Sequence, residues 1–169
     1  MTPKRIFDIL DVYNTEHADL EVALAHKDNG KWEKYSAKDY YEYSHLCACA
    51  LINAGLQKGD KIATLSQNTS QWNILDMAIS MCGMVHVPVY PTISNSEVEY
   101  ILNNCEAKMV FVSNSKLFAK VTQVCENLEN KPRIYTFNDV AGANNWVSLM
   151  DLGDKKEALL KEVEQRKQL

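Results

Sequence analysis

Residues 81–92 read MCGMVHVPVYPT, and how this stretch is divided decides the fold. Met81-Cys82-Gly83 has the character of a helix end, because glycine accepts the backbone twist that closes a helix. Met84-Val85-His86-Val87 continues as an apolar, buried strand. Pro88 and Pro91, with Tyr90 between them, then stop it. A helix running straight into a strand, and that strand ending in a stiff turn, is the signature of a βα unit rather than of a hairpin.

The same alternation extends on both sides. Upstream, KIATLS (61–66) is a short strand, and Ser70 is placed to cap a helix running through Met81. The apolar positions of that helix go most of the way round, so it is expected to be packed on two sides. Downstream, Ser94-x-x-Glu97 is a capping box, with Val98, Ile101, Leu102 and Cys105 as the stripe behind it. KMVFVS (108–113) is a nearly continuous apolar run, as expected of a strand covered on both faces. Leu117, Phe118, Val121, Val124, Cys125 and Leu128 mark a further helix, and RIYTF (133–137) a last strand.

Before this region, Ile6, Phe7, Ile9, Leu10 and Tyr13 have helical spacing, with Thr2-Pro3 as cap and first turn. Two short runs then flank Asn29-Gly30, a hairpin signal. Tyr40, Tyr43, Cys47, Ala50 and Ala54 share one face of a helix that Gly55 closes. Residues 138–153 read as a loop with at most one short turn. Asp154-x-x-Glu157 is placed to cap a C-terminal helix over 154–169, with Leu159, Leu160 and Val163 inside. The fold class expected is α/β: a mainly parallel sheet with helices on both faces and an N-terminal β-hairpin, forming one domain over 1–169.

The bulk composition is that of an ordinary globular domain. The chain has 169 residues, 46% of them hydrophobic and 24% charged, with a net charge of −4. That balance supplies no positive surface for a nucleic acid backbone. The first ten residues have no signal-peptide core, and no apolar run is long enough to span a bilayer. Five cysteines without a CxxC pair read as reduced core thiols of a cytoplasmic protein.

Chemistry-bearing motifs are scarce. Neither GxGxxG nor GxxxxGK[ST] occurs, there is no GxSxG, and the four histidines show no metal-ligand spacing. Asp76 is read as a solvent-facing carboxylate near a helix N-terminus, with a cleft-facing role as the alternative. His86 is read as a hydrogen-bonded core histidine, with a site residue as the alternative. Cys47 and Cys49, two apart on a helix, point in different directions and form no redox pair. Trp72 and Tyr90 are the candidates for lining a substrate cleft. Tyr90 follows a strand's C-terminal end, where ligands of open parallel sheets bind. Core-edge packing of both aromatics is the alternative.

MCGMVHVPVYPT resembles the second core motif of the acyl-adenylate-forming (AMP-binding) superfamily. WEKYSAKDYYEYSHLCACALINAGLQKGDKIA (32–63) resembles its first core motif and the segment after it. SQNTSQWNILDMAIS (66–80) and SNSEVEYILNNCEAKMVFVS (94–113) are similar to the family's following segments, in the same order. VPVYPT looks most like the long-chain fatty acid–CoA ligase branch. Gln71, Met84 and His86 depart from the residues common in the family, which leaves acyl-chain length open. The resemblance covers residues 5 to 150 or so. It implies an N-terminal fragment of an enzyme that activates a fatty acid with ATP and magnesium and passes the acyl group to coenzyme A. The family's phosphate loop, ribose-binding acid and lid lysine have no counterpart in 1–169. No catalytic, cofactor-binding or metal residue is therefore assigned, the chain alone is expected to be inactive, and no bound cofactor is expected on it. The resemblance also implies a cytoplasmic location, with peripheral membrane contact through the full-length enzyme, and self-association of the fragment through uncovered apolar surface. The competing reading is a stand-alone flavodoxin-like binding or regulatory module.

Overall fold

A computed structural model describes residues 3–28, 30–153 and 156–168. A 3₁₀ turn (Ile6–Asp8) leads into α1 (Ile9–Thr15), followed by the hairpin β1 (Leu24–Asp28) and β2 (Lys31–Tyr35) and by α2 (Ala37–Asn53). Four strand–helix steps follow: β3 (Lys61–Leu65), α3 (Ser70–Met81), β4 (Val85–Val89), α4 (Asn95–Cys105), β5 (Met109–Val112), α5 (Ser115–Cys125), β6 (Arg133–Thr136) and a two-residue β7 (Asn144–Asn145) running into α6 (Trp146–Asp151). Helix α7 (Glu157–Lys167) closes the described chain. The five strands β4-β3-β5-β6-β7 form one parallel sheet, and β1 pairs with β2 antiparallel.

Side-chain alternation on the central strands divides the core in two. Ile62 of β3 and Met109 and Phe111 of β5 face α1, α2, α3, α6 and α7, while Ala63, Leu65, Val110 and Val112 face α4 and α5. Phe111 is wholly buried. It stacks on Tyr135 and Phe137 at 5.5 and 5.8 Å, and Phe137 meets the edge of Trp146 at 5.7 Å. Helices thus cover both faces, as the sequence pattern requires.

Several expectations need correction. Thr69, not Ser70, caps α3: its hydroxyl accepts from the Trp72 N–H, and Ser70 is already the first helical residue. The proposed Thr2 cap lies outside the described residues, and the N-terminus instead winds through Arg5, whose backbone N–H donates to Asp8. Residues 138–153 are more than a loop. Asn145 accepts from the Val147 N–H at 2.8 Å, and Trp146, Leu149 and Met150, spaced to share one face, are buried. A six-residue helix with one apolar stripe is too short a pattern to register in a sequence window. Asp154 also lies outside the described residues, and Lys156 at the start of α7 makes no side-chain cap. Tyr43 is partly exposed rather than buried with the rest of its stripe. The hairpin and the Ser94–Glu97 capping box are as expected, with Gly30 at φ +82°.

β4 is the edge strand, not a fully buried one: Val85 is 45% exposed. The Val85 N–H donates to the Asp60 carbonyl at 2.9 Å. Strand alternation then directs residues 85, 87 and 89 toward β3 and residues 86 and 88 outward. Pro88 therefore falls where no ladder donor is needed, which is why a proline can interrupt this strand at little cost.

The C-terminal segment docks on α2. Gly153 lies against it so closely that a Cβ would come within 2.5 Å of the Leu46 carbonyl oxygen. On α7, Lys167 is buried, 3.0 Å from Glu164 and 3.9 Å from Asp11 of α1. His45 of α2 faces the same cluster. Its Nδ1 donates to the Tyr41 carbonyl at 2.8 Å, and its Nε2 lies 3.9 Å from Glu164 without a hydrogen-bond partner. Burial, with Lys167 nearby, holds the imidazole below its usual value of 6.5, against the opposing pull of the Tyr41 carbonyl, Glu164 and Asp11. The unfolded chain takes up this proton first on acidification, so the stability tied to neutral His45 is present above pH 6.5 and is lost as pH falls through that value toward the folded pKa. Urea unfolding of wild type and His45→Gln across the mildly acidic range, above carboxylate titration, should show a steeper loss in the wild type. Identical slopes would exclude His45 as the cause.

Candidate functional site

The sheet reverses direction between β3 and β5. β3 leads out to β4 on one side, and β5 leads out to β6 on the other. Ligands of open parallel sheets bind beyond the strand ends at such a point. Here the loop 66–69 after β3 meets Ser113-Asn114 after β5, and the Gln67 N–H reaches the Ser113 hydroxyl at 3.5 Å. Both loops end in caps, Thr69 for α3 and Asn114 for α5. The backbone entering two helices is thereby fixed at the C-terminal ends of β3 and β5.

Trp72 and Tyr90 occupy different settings. Tyr90 follows the last residue of β4 and is 80% exposed, a rim position. Trp72 is half-buried one turn into α3, and its indole N–H donates to the Thr64 hydroxyl of β3 at 3.0 Å. The Trp72 ring lies 4.9 Å from that of His86. The same Thr64 oxygen is 3.0 Å from His86 Nε2, and His86 Nδ1 is 2.6 Å from the Asp76 carboxylate. The four residues form one chain across α3, β3 and β4. Indole can only donate, so the Thr64 oxygen accepts from Trp72 and its proton is free to point to His86. With the ring neutral, Nε2 then accepts and Nδ1–H donates to Asp76. His86 is thus the hydrogen-bonded histidine expected. Asp76 is not a free surface carboxylate but the end of this chain.

Thr64 is the hub that sequence reasoning missed. A lone threonine in a buried strand carries no motif, and only the pairing of β3 with β4, which sets Thr64 opposite Pro88, brings it to His86. Thr64→Val keeps the shape but strands the Trp72 N–H and His86 Nε2. It should cost about 2 kcal/mol of stability, read as a lower urea midpoint. An unchanged midpoint would show that the chain of bonds contributes nothing.

A cleft of about 660 Å³ opens on the other side of α3, between the hairpin, α2 and α6. His26, Tyr35, Gln71, Phe137 and Trp146 are among its walls. His26 Nδ1 pairs with the Ser70 hydroxyl at 3.1 Å, tying the hairpin to the start of α3. Asp28, Glu33, Asp139 and Asp151 also line it, and among the described lining residues none is lysine or arginine. A nucleotide triphosphate needs cations or convergent N–H donors for its charge, so these walls do not fit one. Among the described residues no group of three or more histidine, cysteine, aspartate or glutamate side chains is arranged to hold a metal ion. None of the five cysteines is in a disulfide, and burial pushes Cys82 up to about 12, far from a reactive thiolate.

Comparison with known proteins places this framework. The chain is 32% identical over 137 residues to the long-chain-fatty-acid–CoA ligase ACSBG2 of Xenopus laevis, an alignment covering 78% of the chain and 18% of that protein. It is 30% identical over 115 residues to the long-chain-fatty-acid–CoA ligase FadD15 of Mycobacterium tuberculosis, covering 68% and 19%. The chain thus spans about a fifth of the length of these curated relatives. Among solved structures, a benzoate CoA ligase from Burkholderia xenovorans superposes with a TM-score of 0.69 at 18% identity, covering 86% of this chain and 28% of that one. The luciferase-like enzyme of the nonluminescent mealworm Zophobas morio superposes at 0.73 and 18% identity, covering 89% and 35%. At such identities the superpositions speak for the fold alone. The signature of the AMP-binding enzymes matches residues 13–167, nearly the whole sequence, and the chain belongs to that family.

Proposed function

We propose that this chain supplies the N-terminal α/β part of an ATP-dependent long-chain fatty acid–CoA ligase. Such an enzyme joins a fatty acid carboxylate to the AMP moiety of ATP, releasing pyrophosphate, and then exchanges AMP for the thiol of coenzyme A. The observation that carries the reading is the family match over residues 13–167, together with relatives named as long-chain-fatty-acid–CoA ligases. In this reading ATP, magnesium and coenzyme A belong to the whole enzyme, which is cytoplasmic. The chain's own contribution is architectural: a rigid doubly wound sheet whose strand ends, with Tyr90 on the rim and Trp72 behind it, form one wall of a cleft completed by other segments.

The carboxylate-lined cleft supports the expectation that the chain alone is inactive, since developing phosphate charge would meet no cation there. Incubated with ATP, magnesium and palmitate, the 169-residue chain should release no pyrophosphate, whereas a ligase encoded by the full reading frame should. Pyrophosphate release by the chain alone would overturn this. The doubly wound sheet also agrees with a stand-alone flavodoxin-like module, and a stop codon directly after Leu169 would favour that alternative.

Exposed Ile6, Leu20, Val22, Val147 and Leu152 leave apolar surface uncovered. The chain should therefore self-associate as its concentration rises. A sedimentation profile that stays monomeric at high concentration would count against this.

A further inference from the structure

The hairpin sorts its side chains by face. Cross-strand partners share a face, so the register Ala25↔Lys34 and Lys27↔Trp32 puts these four residues together, while Leu24↔Tyr35, His26↔Glu33 and Asp28↔Lys31 face the other way. The inner set turns toward the protein: His26 is buried, and His26, Asp28, Glu33 and Tyr35 line the acidic cleft. All four residues of the outer set are exposed. Trp32 is 59% exposed, and the Lys27 ammonium sits 5.3 Å over its ring. Both carboxylates of the two-stranded ribbon, Asp28 and Glu33, thus lie with Lys31 on one side, and the other side presents an indole between two lysines with no carboxylate.

That combination fits one kind of surface. Indole, apolar in body with a polar N–H, is most at home at the boundary between headgroups and acyl chains. Lysine stems lie along apolar surface while their ammonium groups reach anionic headgroups. A nucleic acid would call for a longer stripe of cations than two. We propose that the outer face of the β1–β2 hairpin docks on an anionic lipid surface, with Trp32 at the headgroup boundary and Lys27 and Lys34 against the headgroups. The inference stands on the charge sorting of the ribbon and does not depend on the ligase reading.

The test is co-sedimentation of the chain with phosphatidylcholine vesicles, with and without phosphatidylserine, alongside indole fluorescence. Binding should require phosphatidylserine, fall about fivefold for each of Lys27→Gln and Lys34→Gln, and weaken in high salt. The emission should shift to the blue on binding, and Trp32→Phe should remove that shift while leaving the more enclosed Trp72 and Trp146 unchanged. Because the altered side chains are exposed, circular dichroism should show an unchanged fold. Equal binding to both vesicle types, full binding by the Lys27→Gln/Lys34→Gln variant, or an unmoved indole emission would overturn the proposal. So would lysine-dependent capture of duplex DNA without vesicle binding. None of these readouts involves turnover, so failure here would leave the ligase reading standing, and the reverse.

Discussion

The architecture depends on β5 being covered on both faces. Met109, Val110, Phe111 and Val112 are all buried, and successive side chains point to opposite sides. No single helical layer can satisfy such a strand. α4 and α5 must close one face, and α2, α3 and the C-terminal helices the other. Phe111 anchors the second face through its stack on Tyr135 and Phe137. Full burial of a side chain of this size contributes on the order of 2–3 kcal/mol. The contact of Phe137 with Trp146 extends the same packing to α6, so the short helix after β7 belongs to the core rather than to a surface excursion.

The degree to which the sequence is legible follows from how local each signal is. The Ser94–Glu97 box and the apolar run of β5 carry their own evidence within a few residues, and both are found in place. The cap of α3 is ambiguous by one position in the sequence, because Thr69 and Ser70 are both competent caps and only backbone geometry separates them. α6 was hidden by its length. The apolar residues of β4 suggest more burial than an edge strand has, because they report contact with α3 and β3 but not which strand lies at the sheet edge. Thr64 and the Asp76–His86 pair needed tertiary structure outright, since their partners come from three elements.

The candidate site follows the same division. In the proposed reading this region forms one wall of a cleft, and the β3–β5 reversal of the sheet is where its strand ends would contribute to it. The neighbouring cleft is lined by Asp28, Glu33, Asp139 and Asp151, with no lysine or arginine among its described lining residues. These carboxylates make its walls unfavourable to anions, while the polar chain from Trp72 to Asp76 ties α3 to the sheet edge that leads to Tyr90. Within these residues, shape and rigidity are the legible contribution.

Pro88 has a consequence beyond ending a strand. An open sheet edge is a template on which another strand, from any chain, can add. Because residues 86 and 88 face outward, Pro88 deletes one of the few donors this edge would offer, and the bulky His86–Asp76 pair lies beside the remaining one. An incoming strand would meet a ladder with a missing rung. The same proline that closes the VHVPV strand therefore guards this edge of the sheet against strand addition.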